Sequence, residues 1–531
     1  MFLAIVRSVR WAFWRREPTA FLRAVHYFGR TQPLNFWDSA ILSEVPAHLE
    51  QIRGDGFNTI IVVVPWRGFQ RTVVPSTFDE VNLDRLRQLL IMTQQAGLRF
   101  IVRVSFPWNS DPKSEGGFDE RILGLFSRHD VRRGWLAYLR EIRRISEAFD
   151  GFQFAFFSWE DMPSIREHMI YRTEKERLAL ARVLGYQAYL ASRFDIAKVS
   201  EMFGKPFASM ADVPIPSNDC EGYRTYHDFV NEALDSLLAS GRAAWPRLAM
   251  QVRVDFDRLQ LGGQNEWLEN DIRIDDTGMR ATYFFPAMYA QDHETVLPAA
   301  KVLSNLEHVM RRLSDEGRNT RHFLDQFIFH DESAQLHAWT RVQPDEMGDY
   351  LVGAAPLLRR YSCGFGFWNY FDYRVNHLYN AAFLRELLGW ESSGLVELGP
   401  PAEPRLVRLL PGATIAQSMH PDKVGWGTPH YETMRFAATF RTHDAATSLR
   451  LVTNGEVETE FNVDRDGRIE VEFRPDRHRS GFARFSIENV GSAAVELTDL
   501  NLWGTVYRSR IYDEDGKPGT YLEAVRAMLR E

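Results

Sequence analysis

Three stretches in the first third of the chain have no polar face. They are Thr59-Ile-Ile-Val-Val-Val64, Phe100-Ile-Val-Arg-Val-Ser105 and Phe152-Gln-Phe-Ala-Phe-Phe-Ser158, each β-branched or aromatic almost throughout. A strand of that kind must be covered on both sides, which is the situation of a parallel sheet or barrel. The segments between them show helical spacing: Leu83, Leu86 and Leu90 in one, Trp135, Leu139 and Ile142 in the next. A helix between consecutive strands makes those strands parallel neighbours. The same alternation starts with a strand at Val25–Gly29 and a helix capped by Ser43, with Val45, Leu49 and Ile52 on its apolar face. It continues with strands at Ala249–Val254, Thr282–Phe285, Gln326–Phe329 and Phe365–Trp368. Eight strands alternating with helices over about 380 residues predict an α/β fold, a (β/α)8 TIM barrel with insertions. A long helical pattern over 173–203, broken at Gly185, and a helix over 226–239 fill the longest crossover.

After residue 400 the period changes from helical to two. Glu456–Val463 and Arg468–Phe473 alternate, and Asn454-Gly455 and Asp466-Gly467 supply turns. This predicts an antiparallel, jelly-roll-like β-sandwich. The expected division is 1–23 as a basic amphipathic segment, 24–395 as the barrel, 400–512 as the sandwich and 513–531 as a tail helix.

The net charge of −8 is not clustered, and no basic stripe argues for nucleic acid. Two cysteines, Cys220 and Cys363, make neither a disulfide framework nor a zinc pattern. No His/Asp/Glu group has ligand spacing, so neither a catalytic metal nor another cofactor is expected. Gly364 and Gly366 interrupt a strand and open no helix, which rules out a phosphate loop. The N-terminus mixes Arg7, Arg10, Arg15 and Arg16 with apolar residues, has no cleavage site, and reads equally as a helix in peripheral contact with a membrane surface or as one packed on the domain. No run reaches the length of a membrane span, so a cytoplasmic protein is expected, membrane-associated through its N-terminus on the first of those readings.

A barrel of this class carries its chemistry where the strands end. The fourth predicted strand runs into Trp159-Glu160-Asp161, and the seventh into His330-Asp331-Glu332. Closure brings both strand ends to one mouth. Two carboxyl groups there suit hydrolysis of a glycosidic bond: one protonates the leaving oxygen and the other attacks the anomeric carbon. Asp331 and Asp161 are the alternatives one residue away. Trp66, Trp108, Trp159, Trp339, Trp368 and Asn369 lie at or after strand ends, where aromatic faces suit sugar rings. Arg30, Arg103 and Arg253 are candidates to meet carboxylates in the barrel, with a structural salt bridge favoured for Arg103 and Arg253.

In the order of these pieces the chain resembles clan A of the glycoside hydrolases, the retaining β-glycosidases, and most of all their cellulase-like and β-galactosidase-like members. The pieces are Gly56-Phe-Asn-Thr-Ile60 leading to Trp66, Gly97-Leu-Arg-Phe-Ile101 leading to Trp108, Phe-Ser-Trp-Glu160, Phe-His-Asp-Glu332 and Gly364-Phe-Gly-Phe-Trp-Asn-Tyr370. The resemblance implies Glu160 as acid/base, Glu332 as nucleophile and Tyr289 as the tyrosine that hydrogen-bonds the nucleophile. One position departs: Trp159 stands where the family usually has asparagine. The expected activity is hydrolysis or transglycosylation of a β-linked oligo- or polysaccharide, linked to bacterial exopolysaccharide metabolism. The alternative is a non-catalytic carbohydrate-binding or polysaccharide-assembly protein on the same barrel.

Overall fold

The computed structural model describes residues 21–31, 35–106, 118–158, 161–162, 165, 172–252, 257–268, 280–284, 296–315, 322–327, 341–418, 433–442, 446–464, 466–474, 484–504 and 506–531. Eight strands close into a barrel: β1 Leu22–His26, β2 Thr59–Pro65, β3 Arg99–Phe106, β4 Phe152–Ser158, β5 Leu248–Val252, β6 Arg280–Phe284, β7 His322–Phe327 and β8 Gly364–Phe367. All neighbours pair in parallel, and β8 returns to β1 through Leu22 opposite Gly364 and Val25 opposite Phe367. This is the (β/α)8 architecture expected from the sequence.

The double burial that makes the strands so apolar is visible residue by residue. Ile60, Val62 and Val64 of β2 face the helices, whereas Ile61 faces the axis; Phe100 and Val102 of β3 point outward and Ile101 inward. Leu22, Ala24, Ile61, Ile101, Phe154, Phe156, Ala249 and Phe323 fill the interior. Gly366 is where the interior leaves no space: a Cβ there would lie 2.4 Å from Ile61 Cδ1 and 2.9 Å from the Asp325 carbonyl oxygen.

Among the described residues the main helices packed on the barrel are α1 Val45–Gly54, α2 Glu80–Gln95, α3 His129–Ser146, α4 Gly222–Ala244, α5 Ala299–Asp315, α6 Met347–Tyr361 and α7 Leu522–Arg530, with a further helix at Phe118–Ser127 ahead of α3. Ser43 does not cap α1: Glu44 holds that position without a side-chain bond, behind a short 3-10 turn at Leu42–Glu44, and Pro46 in the first turn needs no N–H partner. The 173–203 pattern divides into Glu174–Leu184, Tyr186–Ala191 and Ile196–Phe203. Gly185, at φ +80°, makes the first break, and Asp195 caps the last piece through the Lys198 amide.

A ten-stranded sandwich follows: β9 Glu391–Ser393, β10 Val396–Leu398, β11 Val407–Leu409, β12 Thr414–Ser418, β13 Met434–Thr442, β14 Thr447–Thr453, β15 Glu456–Val463, β16 Gly467–Phe473, β17 Arg484–Asn489 and β18 Val495–Trp503. They form two antiparallel five-stranded sheets, β9-β12-β17-β14-β15 and β10-β11-β18-β13-β16. Ile415, Leu449 and Phe485 of one sheet meet Leu409, Phe436 and Leu502 of the other. Asn454 and Gly455, both at positive φ, make the β14–β15 hairpin that the dipeptide predicts.

The expected tail helix is no tail. Leu522, Val525, Met528 and Leu529 of α7 belong to the barrel's outer core. The α7 end meets β1, where Arg23 Nη1 donates to the Leu529 carbonyl at 2.7 Å. Buried Asp55, just after α1, accepts from Tyr370 (2.5 Å), Tyr512 (3.0 Å) and Arg526 Nε (2.8 Å), tying β8, the returning chain and α7 together. The helix α7 therefore completes the eighth βα unit of the barrel, and the sandwich is inserted between β8 and that helix. Tyr373–Arg374 pairs antiparallel with Val506–Tyr507 where the chain leaves and comes back.

The segment joining β8 to the sandwich clasps loops beyond β1 and β2. Arg385 donates to Asp79 at 2.6 and 3.0 Å and to Asn82 at 2.6 Å, while Asp79 also caps α2. Glu403 accepts from Arg85 (2.8 Å) and from the Leu42 amide (3.0 Å), and Asn35 donates to the Leu378 carbonyl.

Candidate active site

Above the apolar interior, five strands of the barrel turn a polar residue inward. Alternation along the strands sets it: Leu22 and Ala24 face the axis, so His26 does; Ala249 sets Gln251, Phe323 sets Asp325, Phe156 sets Ser158 and Ile101 sets Arg103. All five are buried, Asp325, Gln251 and Ser158 completely.

These side chains form one connected path around the barrel. His26 Nε2 lies 3.1 Å from both the carbonyl oxygen and Oδ1 of Asp325. The carbonyl can only accept, so Nε2 carries the hydrogen. The Gln251 amide donates to Asp325 Oδ2, and the Ser158 hydroxyl donates to Gln251 Oε1. The Ser158 amide donates to Asp161 Oδ2 at 3.2 Å, and Asp161 Oδ1 receives Arg103 Nη2 at 2.6 Å. Strands β1, β7, β5, β4 and β3 are thus linked through polar side chains in a region without solvent, where satisfied hydrogen bonds fix geometry more firmly than in water. His26 Nδ1 is buried and has no hydrogen-bond partner among the described residues. The imidazole packs 4.7 Å from the Trp368 ring, which also meets Phe28 at 5.3 Å.

The β2 and β3 ends are fixed from outside. Tyr138 of α3 donates to the Val64 carbonyl at 2.7 Å and accepts from the Ser105 amide, and Trp135 donates to the Ser105 hydroxyl at 2.8 Å. Burial pushes the Tyr138 pKa up, which keeps the hydroxyl a donor.

Of the residues singled out in the sequence, Trp368 lies at this mouth, at the end of β8 and 9% exposed. Trp66 does not. It has no exposed surface, donates to Gln70 Oε1 at 2.6 Å, and stacks under Arg121 in the outer core, so it packs the barrel and offers no face to a sugar. Asn369 is also buried, and its amide donates to the Phe371 carbonyl within its own turn. Arg30 is not in the barrel interior: it reaches Glu44 and the Asp515 carbonyl at the surface. Asp161, the alternative acid, is held in the Arg103 ion pair, the structural bridge expected of that arginine. Trp108, Trp159, Glu160, Tyr289, Glu332 and Trp339 lie outside the described residues, as do Arg253, His330 and Asp331.

Sequence reasoning missed His26, Gln251, Ser158 and Asp325 as site residues. For Asp325 the signal was present but misread: starting the seventh strand at Gln326 leaves out an aspartate that the structure puts inside it, three residues after His322.

No family model matches the sequence, and no curated protein does. Solved structures similar to this chain include exo-β-1,4-mannosidase Op5Man5 from Opitutaceae bacterium strain TAV5, at 15% identity and TM-score 0.42 over 67% of this chain and 53% of that one. They include a GH5_18 from Bifidobacterium longum subsp. infantis, at 10% identity and TM-score 0.40 over 67% and 70%. They also include the catalytic domain of β-amylase from Paenibacillus polymyxa, at 10% and 0.43 over 66% and 92%. The chain thus spans about half the length of the first of these. The barrel rests on its own strand pairing and not on these likenesses. Among the described residues no group of three His, Cys, Asp or Glu side chains is arranged to hold a metal ion.

Proposed function

We propose that the protein is a retaining β-glycoside hydrolase, or a transglycosylase on the same machinery, acting on a β-linked oligo- or polysaccharide of bacterial exopolysaccharide metabolism. One observation carries the reading: β4 and β7 are parallel strands of one closed barrel, and the sequence leaving each of them bears a carboxylate. Glu160 follows Ser158, the last residue of β4, by two positions, and Glu332 follows Phe327, the last of β7, by five. The buried path through Gln251 ties those two strands across β5 and so supports a fixed spacing between their ends.

In the proposed reaction Glu332 attacks the anomeric carbon as Glu160 protonates the departing oxygen. The glycosyl-enzyme is then released by water or a sugar acceptor that Glu160 deprotonates, with net retention. Carboxyl groups about 5–5.5 Å apart suit this route, and about 6.5–9.5 Å suits inversion. Trp368, on its His26 and Phe28 support, is the aromatic platform.

A panel of aryl β-glycosides tests the reading. Turnover is expected with retained configuration. Glu332→Gln should abolish it on every leaving group, by several orders of magnitude. Glu160→Gln should still be loaded by substrates with good leaving groups, and azide should rescue it with a β-glycosyl azide as product. Inverted product overturns the retaining mechanism. Glycan binding without turnover across the panel overturns the enzyme and leaves the non-catalytic alternative.

A further inference from the structure

Asp325 is a carboxylate inside the barrel whose charge is met only by neutral groups among the described residues. It is completely buried, and its one ion-pair contact there is the imidazole of His26. The Gln251 amide donates to Oδ2 and His26 Nε2 donates to Oδ1. Both oxygens thus face donors, and a carboxyl hydrogen on either would point at another hydrogen, so Asp325 is ionised. The imidazole does not cancel that charge. Its Nε2 keeps a hydrogen for the Asp325 carbonyl. A second hydrogen, on Nδ1, would be a buried donor with no acceptor among the described residues. The ring is therefore neutral. The other charged pair at this level, Arg103 and Asp161, is closed on itself at 2.6 Å.

A buried carboxylate held by neutral donors is costly, because hydrogen bonds only partly offset its lost hydration. An apolar side chain, such as Phe323 one inward position earlier on the same strand, would be cheaper. Stability gives no reason for the charge, but its position does. His26, bonded to Asp325, packs 4.7 Å from the ring of Trp368 at the mouth. The carboxylate is one imidazole away from the aromatic platform, and the field of a buried charge is screened far less by salt than that of a surface charge.

We propose that Asp325 supplies a fixed negative potential to the sugar site at Trp368, which favours positive charge on the bound ring and excludes anionic sugars. The inference rests on the glycosidase reading, whose transition state gathers positive charge at the anomeric carbon. It adds a source of stabilisation that neither attacks nor protonates, and it narrows the substrate to neutral and amino sugars, with uronic acids excluded. Asp325 touches no substrate. It acts through its charge, set in place before the reaction starts, with His26 and Gln251 as the groups that position it.

The test compares a cationic ligand, 1-deoxynojirimycin, with the neutral lactam of the same configuration, in gluco, galacto and manno forms, by titration calorimetry. The parent should bind the cation more tightly in the configuration that it accepts. Asp325→Asn should reduce that preference about tenfold, the effect of one charge over roughly 10 Å of protein. The variant can keep its hydrogen bonds, because Gln251 turned over would accept from the new amide and donate to Ser158. Ser158→Ala cuts the same path at its far end and leaves the charge, so it should keep the parent's preference. Asp325→Leu with Gln251→Met removes the charge with an apolar filling and should show the same fall, which keeps the test open if the single variant does not fold. Melting curves establish that each variant is folded. On aryl β-glycosides, Asp325→Asn should lower kcat about tenfold with little change in KM, and should narrow the parent's preference for glucosides over glucuronides.

A folded variant without the charge that keeps the parent's cation preference overturns the proposal. So does a Ser158→Ala variant that loses as much of it, which would trace the effect to the shape of the path. A parent that binds neither ligand, or takes uronic acids as readily as neutral sugars, overturns it as well. A parent that shows the charge-dependent preference but turns over no glycoside overturns the glycosidase reading and leaves the charged sugar site standing.

Discussion

Replacing Asp161 with asparagine keeps the shape of the side chain and removes its charge from beneath the mouth. Asp161 is 0% exposed and its partner Arg103 is 1% exposed, with Nη2–Oδ1 at 2.6 Å and Nε–Oδ2 at 3.4 Å. The variant leaves a guanidinium buried opposite a neutral amide, and loss of one member of a buried ion pair costs about 3–5 kcal/mol. With an unfolding entropy of ~2.1 cal/mol/K per residue, a barrel of roughly 370 residues should melt about 4–6 °C lower. Scanning calorimetry reads this directly. The sandwich has a core of its own, so a separate sandwich transition should stay where it is. Replacing both partners with apolar residues, Arg103→Met with Asp161→Leu, removes both buried charges and should recover at least half of the loss. A single variant that melts within 1 °C of the parent, about the noise of the ~4–6 °C estimate, refutes the claim that this pair holds the end of β4. So does a double variant no better than the single. Asp161 adjoins Glu160 in the chain, so on any substrate turned over the single variant should lower kcat with little change in KM.

Three further outcomes follow from the packing. Asp372 is buried, accepts from the Ser509 and Arg510 amides, and has its pKa raised by burial to about 6. The folded state therefore holds this proton more tightly than the unfolded state, and the stability due to the protonated form is complete below pH ~4 and lost as pH rises through ~6. Asp372→Asn should consequently gain about 1–3 kcal/mol over the parent at pH 7.5 and nothing at pH 4, which urea denaturation at the two pH values checks. Leu529→Ala, in α7, should cost about 2–5 kcal/mol in the barrel transition, as a true core residue does, whereas a tail residue would cost almost nothing. Gly364→Ala would set a Cβ 2.4 Å from the Leu22 carbonyl oxygen, a backbone atom that cannot step aside; soluble expression should collapse, and a soluble variant with the parent's melting temperature would contradict the β8–β1 closure.

The barrel was legible because its strands are buried on both faces, and that leaves a mark in single residues. Phe152–Ser158 reads as a strand from sequence and is one, end for end. Strand limits failed where polar residues enter the barrel. The first strand, placed at Val25–Gly29, is Leu22–His26, because Arg23 looks like a loop residue until its hydrogen bond to α7 is seen. The seventh lost Asp325 for a similar reason: an aspartate in an apolar strand looks like a boundary unless a histidine and a glutamine from other strands meet it. Such partners are 299 and 74 positions away, beyond any local pattern.

The larger failure of local reading is topological, and it follows from how a closed barrel is stabilised. Each βα unit buries its strand under the next helix, so a barrel whose eighth strand had no helix after it would leave an apolar seam between β8 and β1. Sequence order invites the sandwich to be taken as a separate domain after a finished barrel, with a short helix trailing it. The seam says otherwise: Phe57 and Phe365 are buried, and α7, over a hundred residues later, lies beside β1 through the Arg23 bond and joins Phe57 and Phe365 in one core. The sandwich is consequently held at both ends, by the strand pair at Tyr373–Arg374 with Val506–Tyr507 and by the clasp of Arg385 on Asp79. An insertion anchored twice on the barrel cannot swing as a tethered module does. It belongs to the rim beyond β1 and β2, next to the strand that brings His26 and Trp368 together.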